Sequence, residues 1–90
     1  MALQIQINKT FLKELSQIPS SSRIRIENFV FKESGAIKKL NDIPNIQKLK
    51  GYKHYYRIRF GEYRAGISFR NEVLTFERIL HRKDLYKYFP

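Results

Sequence analysis

Between Leu49 and Phe69 the chain reads LKGYKHYYRIRFGEYRAGISF, and its residue-by-residue alternation admits a pair of strands and little else. Tyr56, Ile58 and Phe60 fall on one side of the first strand, with Arg57 and Arg59 on the other. Gly61-Glu62 interrupts the run; Tyr63, Ala65, Ile67 and Phe69 then resume the apolar series against Arg64, Gly66, Ser68 and Arg70. Because side chains on a strand repeat with period two, a tight antiparallel hairpin brings Arg57, Arg59 and Arg64 to one face. Three guanidiniums gathered there repel one another. Folding gives little reason to collect them, whereas a polyanionic ligand gives a good one.

The remainder of the chain supplies support for this hairpin. Leu3-Gln4-Ile5-Gln6-Ile7 alternates as a short strand with Leu3, Ile5 and Ile7 inward. Asn8 or Thr10 then caps a helix carrying Phe11, Leu12, Leu15 and Ile18 on one stripe, stopped by Pro19. Ser20-Ser21-Ser22 offers a second N-cap, and Ile26, Phe29, Val30 and Ile37 follow at helical spacing, with Gly35 ending or bending that helix. Leu40 to Gly51 reads as an irregular loop, turned by Asp42, Pro44 and Asn45 and pinned by Ile43, Ile46 and Leu49. A last strand, Val73 to Leu80, enters through Asn71-Glu72; both its faces are partly apolar (Val73 and Ile79 against Leu74, Phe76 and Leu80), as suits an interior strand. The order β-α-α-β-β-β predicts an α+β fold with a helical hairpin on one face of an antiparallel or mixed sheet.

Composition narrows the partners. Ninety residues suffice for one small core, and the formal net charge is +10. Residues 46–90 hold eleven bases and four acids, against seven and four in residues 1–45, so the excess lies in the sheet half. The sequence has no cysteine and only His54 and His81, which excludes disulfides and thiolate-bound metal and argues against a histidine metal site. No cofactor is expected. No apolar run approaches membrane-spanning length and MALQIQINKT lacks the form of a signal peptide, so no membrane partner and a cytoplasmic location are expected.

Three groups of residues resemble the RelE/ParE superfamily of toxins from bacterial type II toxin–antitoxin systems. They are Lys48-Leu49-Lys50-Gly51; Tyr56-Arg57-Ile58-Arg59 with Gly61 and Tyr63-Arg64; and His81-Arg82-Lys83-Asp84-Leu85-Tyr86. No one group is specific. Their order, their spacing and the helical hairpin before them carry the likeness across the whole chain. The resemblance implies a single RelE-like toxin domain over residues 1–90 and a cognate antitoxin as partner. It further implies an endoribonuclease that cuts mRNA on the ribosome; operator DNA is a further partner of the toxin–antitoxin complex. The alternatives are a ParE-like gyrase poison and an inactive regulator that binds antitoxin and operator DNA.

By the same resemblance, Arg57 and Arg59 occupy the place of a basic pair on a RelE-type strand. Arg64 matches an arginine on the next strand, and Arg82 and Tyr86 a C-terminal Arg and Tyr. RelE-type enzymes commonly carry lysines where this chain has Arg57 and Arg59; a guanidinium clamps phosphate but gives up a proton poorly. Arg82 and Tyr86 also stand closer together than is usual for such enzymes. His81 is therefore a candidate for proton transfer, since imidazole titrates near neutral pH. Lys50, Lys53 and Lys83 are expected to contact RNA electrostatically, and His54 and Tyr55 are candidates for base stacking. Glu62 and Asp84 make a poor acid/base pair and receive no catalytic role.

Overall fold

The computed structural model describes residues 2–90. Five strands form one sheet in the order β1-β5-β4-β3-β2. These are β1 (Gln4–Ile7), β2 (Ile46–Lys48), β3 (Tyr55–Phe60), β4 (Tyr63–Arg70) and β5 (Val73–His81). Strand β1 runs parallel to β5 and every other pairing is antiparallel, so the sheet is mixed. Two helices, α1 (Lys9–Ser16) and α2 (Ser20–Asn28), connect β1 to the hairpin strands, and a single turn, α3 (Leu85–Tyr88), follows β5. No helix among the described residues is long and apolar enough to cross a membrane.

Helix α1 buries Phe11 and Leu15, and Ile18 continues the stripe just beyond it, whereas Leu12 is 42% exposed and faces away from the sheet. Asn8 holds the N-cap position without a side-chain bond, its carbonyl accepting the N–H of Leu12. The serine triplet does not cap α2. Pro19 does so, because its carbonyl accepts the N–H groups of both Ser22 and Arg23. Past Asn28 the helix widens into a π turn over Phe29–Glu33, where consecutive Phe29 and Val30 are both buried, and ends in a 3₁₀ turn over Ser34–Ala36. Ile37 is thus in extended backbone past the helix, only half-buried.

The segment expected to be a loop contains a fifth strand. Asn45, at φ 61°, turns the chain so that Ile46, Gln47 and Lys48 pair with Ile58, Arg57 and Tyr56. Three residues are too few to establish an alternation, and the pairing along β3 holds them. The faces of β5 also differ from strict alternation. Between Gly66↔Arg78 and Ile67↔Phe76 the register skips a residue, a β-bulge that resets which side chains point inward. Ile79 consequently joins Leu74 and Phe76 in the main core, and Leu80 falls on the opposite face.

That main core fills the space between sheet and helices, with Phe76 touching both Phe11 (5.4 Å between centroids) and Phe29 (6.3 Å). Beyond Phe76, β5 has no pairing to β1, and α1 closes this stretch. Glu14 accepts the backbone N–H of Ile79 at 3.1 Å and holds the Arg78 guanidinium at 2.7 Å. Hydrogen bonding to Glu14 raises the Arg78 pKa, outweighing the effect of burial.

Candidate active site

The β3–β4 hairpin closes through Gly61-Glu62, with Gly61 at φ 59°, a conformation that glycine adopts without strain. The resulting register sets Arg59 directly opposite Arg64 and Arg57 opposite Gly66. The expected gathering of three arginines on one face is therefore present, on the side of the sheet away from α1 and α2. Each is oriented by a neutral partner. Arg57 Nη2 donates to Gln47 Oε1 at 2.6 Å and its Nη1 to the Tyr86 hydroxyl. Arg59 Nη2 reaches Asn45 Oδ1 at 3.5 Å, and Arg64 Nη1 donates to the carbonyls of Gly61 (2.6 Å) and Tyr63 (3.0 Å). Partial burial of Arg64, then the charges of Arg57, Arg59 and Arg82, lower its pKa; Glu62 offsets this in part. The face holds more positive charge than its own carboxylates balance, and an arriving anion relieves it.

Arg82 joins the same end of the hairpin. Its backbone N–H donates to the Glu62 carbonyl and its Nε to the Glu62 carboxylate, 2.9 Å away. Tyr86, on α3, lies over Arg57, whose guanidinium carbon stands 5.5 Å from the ring centroid. The short Arg82–Tyr86 spacing thus suits a single helical turn folded back onto β3. His81 is not brought into this group. It pairs with Tyr63 across β4 and β5, on the helix side of the sheet, and its ring meets the Tyr63 ring edge-on at 5.7 Å. Its Nδ1 accepts the Lys83 N–H, and its Nε2 lies 3.7 Å from Glu62 at the rim.

Of the three lysines, Lys50 and Lys53 flank Gly51 at one end of the face, and Lys83 is exposed in the turn after β5. Tyr55 is committed to packing: its ring meets Phe89 edge-on at 5.4 Å, with the Arg70 guanidinium 5.8 Å from its centroid. His54 is half-buried where its carbonyl accepts the Phe69 N–H.

Two depressions share Arg59 and Arg64 as a common wall. One, of about 290 Å³, lies between these residues, Arg57, Gln47 and Asn45. The other, of about 390 Å³, lies toward Glu62 and Arg82 and includes Arg25 from α2. Arg25, Gln47 and Asn45 were not legible as site residues, because they come from a helix, an edge strand and the turn before it, which only the tertiary fold brings alongside the hairpin. Glu62 had a signal, its position in the turn beside Arg64, but its partners lie twenty residues further along the chain.

The five-stranded mixed sheet with its helices matches the fold of known toxins. A solved RelB–RelE antitoxin–toxin complex from Methanococcus jannaschii contains a chain that superposes with a TM-score of 0.77 at 42% identity, covering 94% of this chain and 99% of that one. The archaeal RelE–RelB complex from Pyrococcus horikoshii OT3 shares the fold at a TM-score of 0.68 and 23% identity, covering 91% of this chain and 97% of that one. No family model matches the sequence. A curated relative named Toxin RelE3, from Methanocaldococcus jannaschii, is 43% identical over 98% of this chain and 100% of its own length. The chain belongs to the RelE family of toxins.

Proposed function

We propose that the protein is a metal-independent endoribonuclease that cuts mRNA on the ribosome and is held inactive by a cognate antitoxin. The observation that carries this reading is the open depression walled by Arg57, Arg59 and Arg64, with the Tyr86 hydroxyl on Arg57. Cleavage without a metal requires the 2′-oxygen to bond to its own phosphorus while the bond from phosphorus to O5′ breaks. The 2′ proton leaves and O5′ gains one, giving a 2′,3′-cyclic phosphate and a 5′-hydroxyl. Arg57 and Arg59 clamp the phosphate. Arg64, directly opposite Arg59 across the hairpin, stabilises the extra charge on the phosphorane. Tyr86 is the group on this face able to pass a proton; the guanidiniums keep theirs.

His81 lies on the helix side of the sheet and the Glu62 carboxylate is engaged by Arg82, so the face is short of a free general base. That shortage supports a reaction completed in the ribosome's decoding site. The solved relative at 42% identity is a complex with RelB. An antitoxin whose acidic, apolar-studded segment covers the Arg57, Arg59, Arg64 and Arg82 surface would neutralise charge and block substrate together.

The test is expression without antitoxin. Protein synthesis is expected to stop before DNA replication, with primer extension showing new 5′ ends inside translated codons. Normal translation with loss of gyrase supercoiling would overturn the ribonuclease reading in favour of a gyrase poison.

A further inference from the structure

A third concavity adjoins the arginine depression and differs from it in kind. Arg57 and Gln47 line both. Where the depression is walled mainly by charged and amide groups, the adjoining cleft, of about 290 Å³, adds buried Leu49 and Phe89 and two exposed tyrosines to the basic side chains Arg57, Lys48 and Lys50. Tyr52 is 48% and Tyr86 60% exposed. Neither ring is free to collapse onto the surface. Tyr52 stands edge-on to Tyr55 at 5.8 Å, Tyr55 stands edge-on to Phe89, and Arg57 holds Tyr86 from above.

Aromatic rings beside basic side chains suit a nucleotide, whose base stacks on the rings while the cations meet its phosphates. Continuity at Arg57 puts this cleft within one nucleotide of a phosphate clamped by Arg57, Arg59 and Arg64. We propose that the cleft is a nucleobase subsite for the nucleotide flanking the cut phosphate, with Tyr52 as its stacking platform and Gln47 as its selector. The inference rests on the ribonuclease reading. The selector role follows from hydrogen-bond chemistry: a guanidinium only donates, so the Gln47 oxygen is taken by Arg57 at 2.6 Å and its amide N–H groups remain for the ligand. Donors of this kind match the carbonyl edge of guanine or uracil, where adenine and cytosine present an amino group.

The test uses non-cleavable 2′-deoxy trinucleotide backbones carrying one base at the middle position and abasic sugars on either side. Equilibrium binding to the full chain is compared with the wholly abasic backbone, so that any change in phosphate clamping cancels in the ratio. Guanine or uracil is expected to tighten binding about tenfold, the scale of one base–aromatic stack, and adenine or cytosine by less. Tyr52→Ala is expected to bring the ratio near one, Tyr52→Phe to keep it, and Gln47→Leu to erase only the difference between carbonyl and amino bases. A ratio near one in the natural protein, or one indifferent to Tyr52→Ala, overturns the subsite while leaving RNA cleavage standing. Equal binding of all four bases overturns the role of Gln47. Failure to bind any backbone, together with failure to cut RNA, overturns the ribonuclease reading itself.

Discussion

The two faces of the sheet are built from the same strands and held by opposite logic. On the helix side, Ile58, Ile67, Leu74, Phe76 and Ile79 are all but sealed from water under α1 and α2. On the other side, a small cluster of Leu49, Leu85 and Phe89, docked by α3, covers one end, and the arginines occupy the rest. Two arginines show the same division. Arg78 is tied to Glu14 and its charge is favoured by the fold, whereas Arg64 is partly buried and then meets other cations, so its charge is disfavoured. The first serves architecture. The second carries a charge that the fold itself leaves unfavourable.

The largest effect expected from this division is on the helix side. Phe76 is fully buried between Phe11 and Phe29, so Phe76→Ala should cost about 3–5 kcal/mol, a large part of a small domain's stability. Denaturant unfolding measures it. A cost below about 1 kcal/mol would mean that the core repacks and that the helix face is not the stabilising one.

Arg64→Ala should do the reverse: RNA cleavage falls about 10²- to 10³-fold, and stability holds or rises. The sign follows from its lowered pKa. Folding disfavours the cation, and a guanidinium keeps its proton across neutral pH, so the stability difference should be flat there. Unfolding midpoints and single-turnover cleavage on the same variant decide it. A stability loss comparable to that of Phe76→Ala would abolish the contrast between the faces.

How much of this was legible from sequence follows the same physics. The hairpin was, because alternation over Tyr56–Phe60 and Tyr63–Phe69 fixes both pairing and facing, down to Arg59 opposite Arg64. Strand β2 was not, since three residues alternate only once. The facing of Ile79 and Leu80 was misread because a bulge shifts the period and leaves no mark in composition. The same offset puts His81 on the helix side with Tyr63, where strict alternation gives no warning. That the Tyr55 ring packs against Phe89 is likewise visible only in the tertiary structure.

The boundary between tail and arginines offers a finer test. Gly66 sits opposite Arg57, and a Cβ built on it would lie 2.6–2.9 Å from ring atoms of Phe89. A ring this close cannot yield without leaving the sheet, so Gly66→Ala should lift the tail and cost about 1–3 kcal/mol. Phe89→Ala should cost less in the Gly66→Ala background than alone, because the tail's contact with the sheet is already lost there. A double-mutant cycle by thermal unfolding measures that coupling. Strict additivity would show that the tail does not rest on Gly66, and the arginine face would then be open along its whole length.

The smallest effect is expected at Glu62, the carboxylate beside Arg82. It lies 2.9 Å from Arg82, but both side chains are more than half exposed, so the pair adds little to stability. Glu62→Gln should shift the unfolding free energy by no more than about 0.5 kcal/mol. Its effect on binding has a definite sign. In the free protein the carboxylate occupies Arg82 and partly offsets the crowding at Arg64, so it competes with an incoming phosphate for both. Neutralising it removes the competitor and leaves the amide able to hold the turn. RNA affinity should therefore rise a few-fold at low salt, and the gain should shrink as salt screens the face. Filter binding of a short RNA to both proteins across a salt series measures this. A weaker complex for Glu62→Gln would mean that the carboxylate positions Arg82 for substrate and does not compete with it.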